Sequence, residues 1–159
     1  MEHIFFWGEK STFGLFSNFY PCTFAVDGTT YNCSEQYFMK KKQELFDPHN
    51  QLLATNIIRE TNPKNIKRFG RQVNNFNEEI WNQNRYKCMY DAVYAKFTQN
   101  PELEIILLAT GDKILVEASP YDRIWGIGFT KSNALVNKDK WGQNLLGIIL
   151  MEVRSKLKD

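Results

Sequence analysis

The chain has 159 residues, of which 43% are hydrophobic, 14% aromatic and 24% charged, with a net charge of +2. This composition suits one ordinary folded domain with its own core and argues against disorder. The near-neutral balance argues against a general nucleic-acid or membrane-surface binder, and no apolar run approaches the ~20 residues that span a bilayer.

In chain order, Ile4 to Trp7 reads as a short strand. Thr23 to Val26 and Thr29 to Asn32 flank Asp27-Gly28, a strong hairpin-turn signal. Ser34 is the expected N-cap of a helix running to about Leu45. Asp47-Pro48 has the form of an N-cap and first helical residue, opening a helix toward Ile58. Asn62-Pro63 repeats that signal for a helix ending near Arg71. Asn77, followed by Glu78-Glu79, opens a long helix to about Thr98, its acidic first turn matching the helix dipole. Trp81, Cys88, Ala92 and Ala95 share one face of it.

Asn100-Pro101 starts a helix through Leu108, and Ile114 to Glu117 reads as a strand. Ala118 to Lys140, with Pro120, Gly126 and Gly128, reads mainly as loop. A last helix covers Gln143 to Leu157, with Leu145, Ile149, Val153 and Leu157 at i, i+4 spacing. The expected fold is α+β: one mainly helical domain over residues 1–159, with a small sheet from the first part plus the strand near Ile114.

Cys22, Cys33 and Cys88 form an odd set without a CxxC pair, which suits a reducing cytosol better than a disulfide scaffold. Met1-Glu2-His3-Ile4-Phe5 lacks the basic start and long apolar stretch of a signal peptide, so the expected location is cytoplasmic.

Much familiar chemistry is missing. There is no phosphate-cradling P-loop, and Gly126-Ile127-Gly128 lacks the third glycine of a dinucleotide fingerprint because Lys131 stands there. His3 and His49 are the only histidines, and neither suggests a zinc site or a Ser-His-Asp triad. Proton transfers in an enzyme of this composition fall to carboxylates, with lysine as the remaining candidate.

Three segments hold such groups. Phe16-Ser17-Asn18-Phe19-Tyr20 sets two small polar residues in an aromatic run, which fits either a turn or a pocket. Ser34-Glu35-Gln36-Tyr37-Phe38 puts Glu35 in a first helical turn, where plain dipole capping is the simpler reading. Val116 to Gly126 brings Glu117 and Asp122 beside aromatics and glycine on a loop after a strand; an Asp122–Arg123 surface pair is the bland alternative. Basic clusters at Lys40-Lys41-Lys42 and Lys64 to Arg71 suit a phosphate, or simply a solvated helix face.

These words, with Gly70-Arg71, Trp81, Met89, Lys96-Phe97, Leu107 to Thr110, Trp125-Gly126 and Trp141 to Gly147, occur in an order that resembles the NADAR-domain, or YbiA-like, family over nearly the whole chain. The resemblance implies N-glycosidase activity. It implies a phosphorylated ribosylamino-pyrimidine of riboflavin biosynthesis as substrate, cleaved to ribose 5-phosphate and a free pyrimidine. By the same match Glu35, Trp81 and Asp122 are the positions expected to be functional.

Cleaving the C1′–N bond builds positive charge on the ribose, which a carboxylate stabilises while another activates water. Glu35 and Asp122 fill these roles in either order. Trp81 and Trp125 stack on the heterocycle, Asn18 and Asn144 bind ribose hydroxyls or the base edge, and Arg71 with a lysine of the 40–42 run holds phosphate. No cofactor or metal is implied.

Two other readings compete. One is an ADP-ribosyl-guanine hydrolase acting on nucleic acid with the same bond chemistry. The other is a non-catalytic module binding ADP-ribose or NAD, which the acids at 35 and 122 disfavour.

Overall fold

A computed structural model describes residues 2–159. Strand β1 covers His3–Phe6, followed by a 3-10 turn at Gly14–Phe16. Strands β2 (Phe24–Val26) and β3 (Thr29–Tyr31) form the expected antiparallel hairpin. Asp27 and Gly28 both take positive φ, 50° and 82°, as a tight two-residue turn between twisted strands requires.

Helices α1 (Ser34–Phe46), α2 (Gln51–Arg59), α3 (Pro63–Gly70), α4 (Glu78–Thr98) and α5 (Pro101–Ala109) follow. Strand β4 spans Ile114–Glu117, helix α6 Lys131–Ala134, a 3-10 stretch Leu135–Lys140 and helix α7 Leu145–Lys158. The chain is therefore mainly helical with little sheet, as expected.

Several boundaries differ from the sequence reading for identifiable reasons. Cys33, in extended conformation, is the N-cap of α1, so Ser34 is already helical, and its buried hydroxyl has no hydrogen-bond partner among the described residues. Asp47 ends α1 instead of opening α2; its Oδ2 accepts from the Asn50 side chain (2.9 Å) and the Asn74 backbone (3.2 Å). Asn50 caps α2, its Oδ1 accepting from Leu53 N at 3.1 Å. The 118–140 segment is loop only in its first half. The last helix begins at Leu145 because Asn144 turns the chain in the left-handed region, φ 52° and ψ 41°.

The expected single small sheet is two separate sheets. The hairpin pairs only with itself, and β1 pairs in parallel with β4, His3 opposite Ile114 through Phe6 opposite Glu117. Periodicity marks strands but not their partners, and this pairing joins segments far apart in sequence.

The chain divides into two compact units. One comprises Met1–Tyr20 with Asn100–Asp159. In it α7 packs against β4 and α5 against α7. Leu115, Val116, Leu146, Ile149, Leu150 and Val153 are all fully buried there. Each such side chain contributes about 1.5–3 kcal/mol by leaving water.

The other unit, Pro21–Gln99, packs α1 against α2, α3 and α4. Gly70 lies directly against the Met39 thioether, the close approach that sets α3 on α1. The hairpin is held on this unit by Phe24, Tyr31 and Tyr37 in mutual ring contact, and by Gln99, whose amide pairs with both Ala25 N and Ala25 O at 2.8 Å.

Candidate functional site

In the unit spanning Pro21–Gln99, two of the sequence-expected residues lie on one side of α1 and a third at the end of α3. Glu35 stands in its first turn, 7% exposed. Lys42 follows two turns later, and Arg71 caps the end of α3. The three are in electrostatic reach: burial holds the Lys42 ammonium below its usual range, the Glu35 carboxylate opposes that shift and the Arg71 guanidinium adds to it.

Of the three consecutive lysines, Lys40 and Lys41 are bound to Glu44, at 2.7 and 3.1 Å. Among the described residues Lys42 has no such ion pair, and it lies over the Phe76 ring, Nζ 4.8 Å from its centroid. Arg71 is exposed. The buried Glu35 carboxylate and the Arg71 guanidinium thus both act on Lys42, and among the described residues neither cation is in a salt bridge, an arrangement suited to an anionic ligand.

Trp81 is 8% exposed and packs on Phe38 (ring centroids 4.9 Å apart) and Phe46 (6.1 Å). These contacts make it part of the aromatic layer beneath α1. On the same α4, Ala92 and Ala95 are buried as the helical spacing indicates, and Cys88 is half-buried. Lys96, a word of the resemblance without an assigned role, is fully buried near Cys22 and Cys33. Burial lowers its ammonium to about 8 against the opposing effect of the two sulfurs.

In the unit built from the two chain ends, the loop after β4 carries Asp122. Its Oδ1 accepts from the backbone N–H of Ile124 and of Trp125, both at 2.8 Å. This is the turn-forming habit of aspartate, and it fixes the carboxyl so that its second oxygen points in one direction. Arg123 does not pair with Asp122. Its guanidinium donates to the Lys140 carbonyl at 2.6 Å and lies 5.9 Å from the Phe129 ring centroid.

The loop is locked from its other side by the entry to α7. Gln143 N, Leu145 N and Leu146 N donate to the carbonyls of Arg123, Ile124 and Trp125, at 2.8, 3.0 and 3.1 Å. Those bonds satisfy donors at the start of α7. Trp125 is half-buried at the centre of this clamp.

Gly126 is required here. A Cβ would stand 2.8 Å from Glu117 O and 3.2 Å from Glu117 Oε2, so the Glu117 carboxylate lies over the Gly126 backbone. The sequence placed Glu117 among the loop acids without giving it a role; a glycine nine residues downstream is the only trace of this proximity.

Asn144, expected to bind substrate, turns its amide onto β4. Its Oδ1 accepts from Glu117 N and its Nδ2 donates to Leu115 O, both at 3.0 Å. It positions the strand end that carries Glu117. Asn18 differs: its Oδ1 is buried and has no hydrogen-bond partner among the described residues. The adjacent Ser17 Oγ accepts from Phe19 N at 3.1 Å, so the serine makes the turn and the asparagine keeps an open acceptor.

Among the described residues no helix is long and apolar enough to cross a membrane.

The NADAR domain model matches residues 5–158. The chain is 38% identical to the N-glycosidase R617 of Acanthamoeba polyphaga mimivirus, over 98% of this chain and 96% of that one. It is 35% identical to the riboflavin biosynthesis protein VVA0006 of Vibrio vulnificus, over 99% of this chain and 39% of that protein. The NMR structure of the E. coli protein YbiA superposes with a TM-score of 0.80 at 33% identity, covering 99% of this chain and 85% of that one.

Proposed function

Because the chain belongs to the NADAR family, we propose that it hydrolyses the C–N bond of phosphorylated ribosylamino-pyrimidine intermediates of riboflavin biosynthesis, releasing ribose 5-phosphate. The class of reaction, hydrolysis of an N-glycosyl bond, follows that of relatives named N-glycosidases. The riboflavin assignment draws support from the Vibrio relative's name. The observation that carries the substrate class is the buried Glu35 carboxylate, two turns from Lys42 on α1, with Arg71 also acting on that lysine. A carboxylate suits a cationic ribosyl centre, and two cations suit its phosphate.

The chemistry balances with carboxylates alone. Water attacks C1′ as the C1′–N bond breaks; one carboxylate takes the water proton, and the leaving nitrogen receives a proton from solvent or the second carboxyl. Glu35 and Asp122 are assigned to these two roles on the strength of the family match. The fixed Asp122 carboxyl favours its part, since an oriented oxygen needs no reorganisation during reaction. Asn18 is assigned to a ribose hydroxyl because its acceptor is unmet. Trp125 is assigned to the heterocycle, Trp81 to the wall supporting Phe38 and Arg71 to the phosphate.

On this reading the two units form one functional NADAR domain, 1–159, an assignment supported by a family match running from residue 5 to 158. The enzyme is assigned to the cytosol, where its three free thiols stay reduced.

The test is release of ribose 5-phosphate from 5-amino-6-ribosylaminouracil 5′-phosphate, followed by mass spectrometry, beside an ADP-ribosyl-guanine oligonucleotide. Turnover of the first with loss of at least ~100-fold in Glu35→Gln and Asp122→Asn is expected. Turnover of the oligonucleotide alone refutes the substrate, and full activity in both folded variants refutes the roles.

A further inference from the structure

The unit that carries Asp122 also holds a cavity of about 660 Å³ to which no role has been given. It lies where β1 and β4 end. Phe5 and Trp7 come from the last part of β1 and the residue after it, and Ala118 directly follows β4. The carboxyl ends of parallel strands are a recurrent place for ligands, because both chains leave the sheet there and open a crevice. The volume lies in the ordinary range for small-molecule sites.

The lining is specific in kind. Phe5 and Trp7 supply aromatic surface, while Ser11, Thr130 and Ser132 supply hydroxyls. Among the described residues Lys131 is the only charged one lining it, and no carboxylate does. Such walls reject a cation and accept a flat ring with polar edges.

The aromatic wall is also built to stay in place. Gly8, at φ 83°, turns the chain back so that Ser11 Oγ donates to Trp7 O (2.5 Å) and Gly8 O (2.9 Å). Phe5 is stacked on His3, ring centroids 5.5 Å apart. On the opposite side Thr130 Oγ1 and Ser132 Oγ are bonded at 3.1 Å. Trp7 is nevertheless 46% exposed, and its ring meets that of Tyr121, 86% exposed, at 5.9 Å. Tyr121 immediately precedes Asp122, so the ring that meets Trp7 and the acid share one loop.

We infer that this cavity takes up the free heteroaromatic base after the C1′–N bond of the N-glycoside has broken and the base has left Trp125, its face on Trp7 and its amino and oxo edges on the Ser11, Thr130 and Ser132 hydroxyls. The inference rests on the N-glycosidase reading and adds a base subsite to it. Lys131 faces the ring's anionic or oxo edge.

The test measures binding of 5,6-diaminouracil, the free pyrimidine, by calorimetry to the intact protein and to Trp7→Ala, Trp7→Phe and Lys131→Ala. Trp7 is half exposed, so its removal leaves the fold intact, which circular dichroism verifies. Binding about tenfold or more weaker in Trp7→Ala and largely kept in Trp7→Phe is expected, in line with base–aromatic stacking. A smaller loss is expected in Lys131→Ala.

No binding at millimolar ligand, or equal binding by Trp7→Ala, overturns the inference even if the enzyme cleaves its glycoside. So does competition by inorganic phosphate that requires Lys131 but not Trp7, which would make the cavity a phosphate pocket. Trp7-dependent binding in a protein that cleaves no glycoside leaves the subsite standing and refutes the N-glycosidase reading.

Discussion

Replacing Asn144 tests whether its amide serves structure before chemistry. Ile114 N donates to Glu2 O (2.6 Å) and Ala118 N to Phe6 O (2.8 Å), so the groups of residues 115 and 117 face the other edge of β4. There Asn144 is the partner of both Leu115 O and Glu117 N. Asn144→Gly keeps the left-handed backbone open and removes only the amide. Two backbone groups then lose their partner in a site 8% exposed, at about 1–3 kcal/mol each. The expected loss is about 2–6 kcal/mol, or roughly 4–24 °C in melting temperature for a chain of this size.

Asn144→Ala should cost about 1 kcal/mol more, since a Cβ disfavours φ 52°. Asn144→Asp keeps the acceptor for Glu117 N but turns an oxygen toward Leu115 O, so it should fall near the glycine variant. Urea unfolding followed by far-ultraviolet circular dichroism measures all three. A glycine variant within ~0.5 kcal/mol of the parent would refute the bridging role and return Asn144 to the substrate-binding set.

Gly147→Ala should destabilise by about 1–3 kcal/mol or more in the same assay, because a Cβ there meets the Leu115 carbonyl oxygen, which belongs to backbone and cannot swing aside. Lys42→Met should raise KM for a phosphorylated ribosyl substrate by about tenfold while kcat changes little, and Lys40→Met, whose parent side chain is bound to Glu44, should do neither. Lys96 should make stability depend on pH. Its folded pKa of about 8 lies below the ordinary 10.5, so the unfolded chain binds more protons between them, and stability rises over that window and is lost as pH falls to 8. Cys33, with its thiol pushed up to about 12, acts in the opposite sense above pH 9. The difference between the parent and Lys96→Met, measured from pH 7 to 10.5, isolates the lysine; a difference flat across that range would refute its lowered pKa.

Legibility followed the range of the interaction. Asn62 and Asn77 were readable as caps because the side chain bonds a backbone N–H two or three residues away, at 3.0 Å in both cases. Asp27-Gly28 was readable because only certain residues take two positive φ values in succession. Asp47-Pro48 misled, since the same pair also suits a chain reversal, and Asn50 three residues later took the capping role.

The division into two units and the β1–β4 pairing had no local signal. Among the site residues, Glu35 was legible as a first-turn acid, but its burial was not. Lys42 could be separated from Lys40 and Lys41 only once Glu44 was seen to hold those two. Asn18 and Asn144 looked equivalent in sequence; folding left one with an open acceptor and tied both ends of the other's amide to β4.

The parallel pairing of β1 with β4 also sets a timetable for synthesis. Phe6 and Ile114 are separated by 114 − 6 = 108 positions, which at usual elongation rates is roughly 5–20 s of translation. During that interval Pro21–Gln99, a contiguous stretch, can emerge and gather its helices around α1. The four-residue strand at the front of the chain meanwhile waits with Ile4 and Phe6 uncovered. Slow or stalled decoding between Asn100 and Glu117 would lengthen that wait, leaving a nascent chain that offers an unpaired apolar edge to chaperones or to its neighbours.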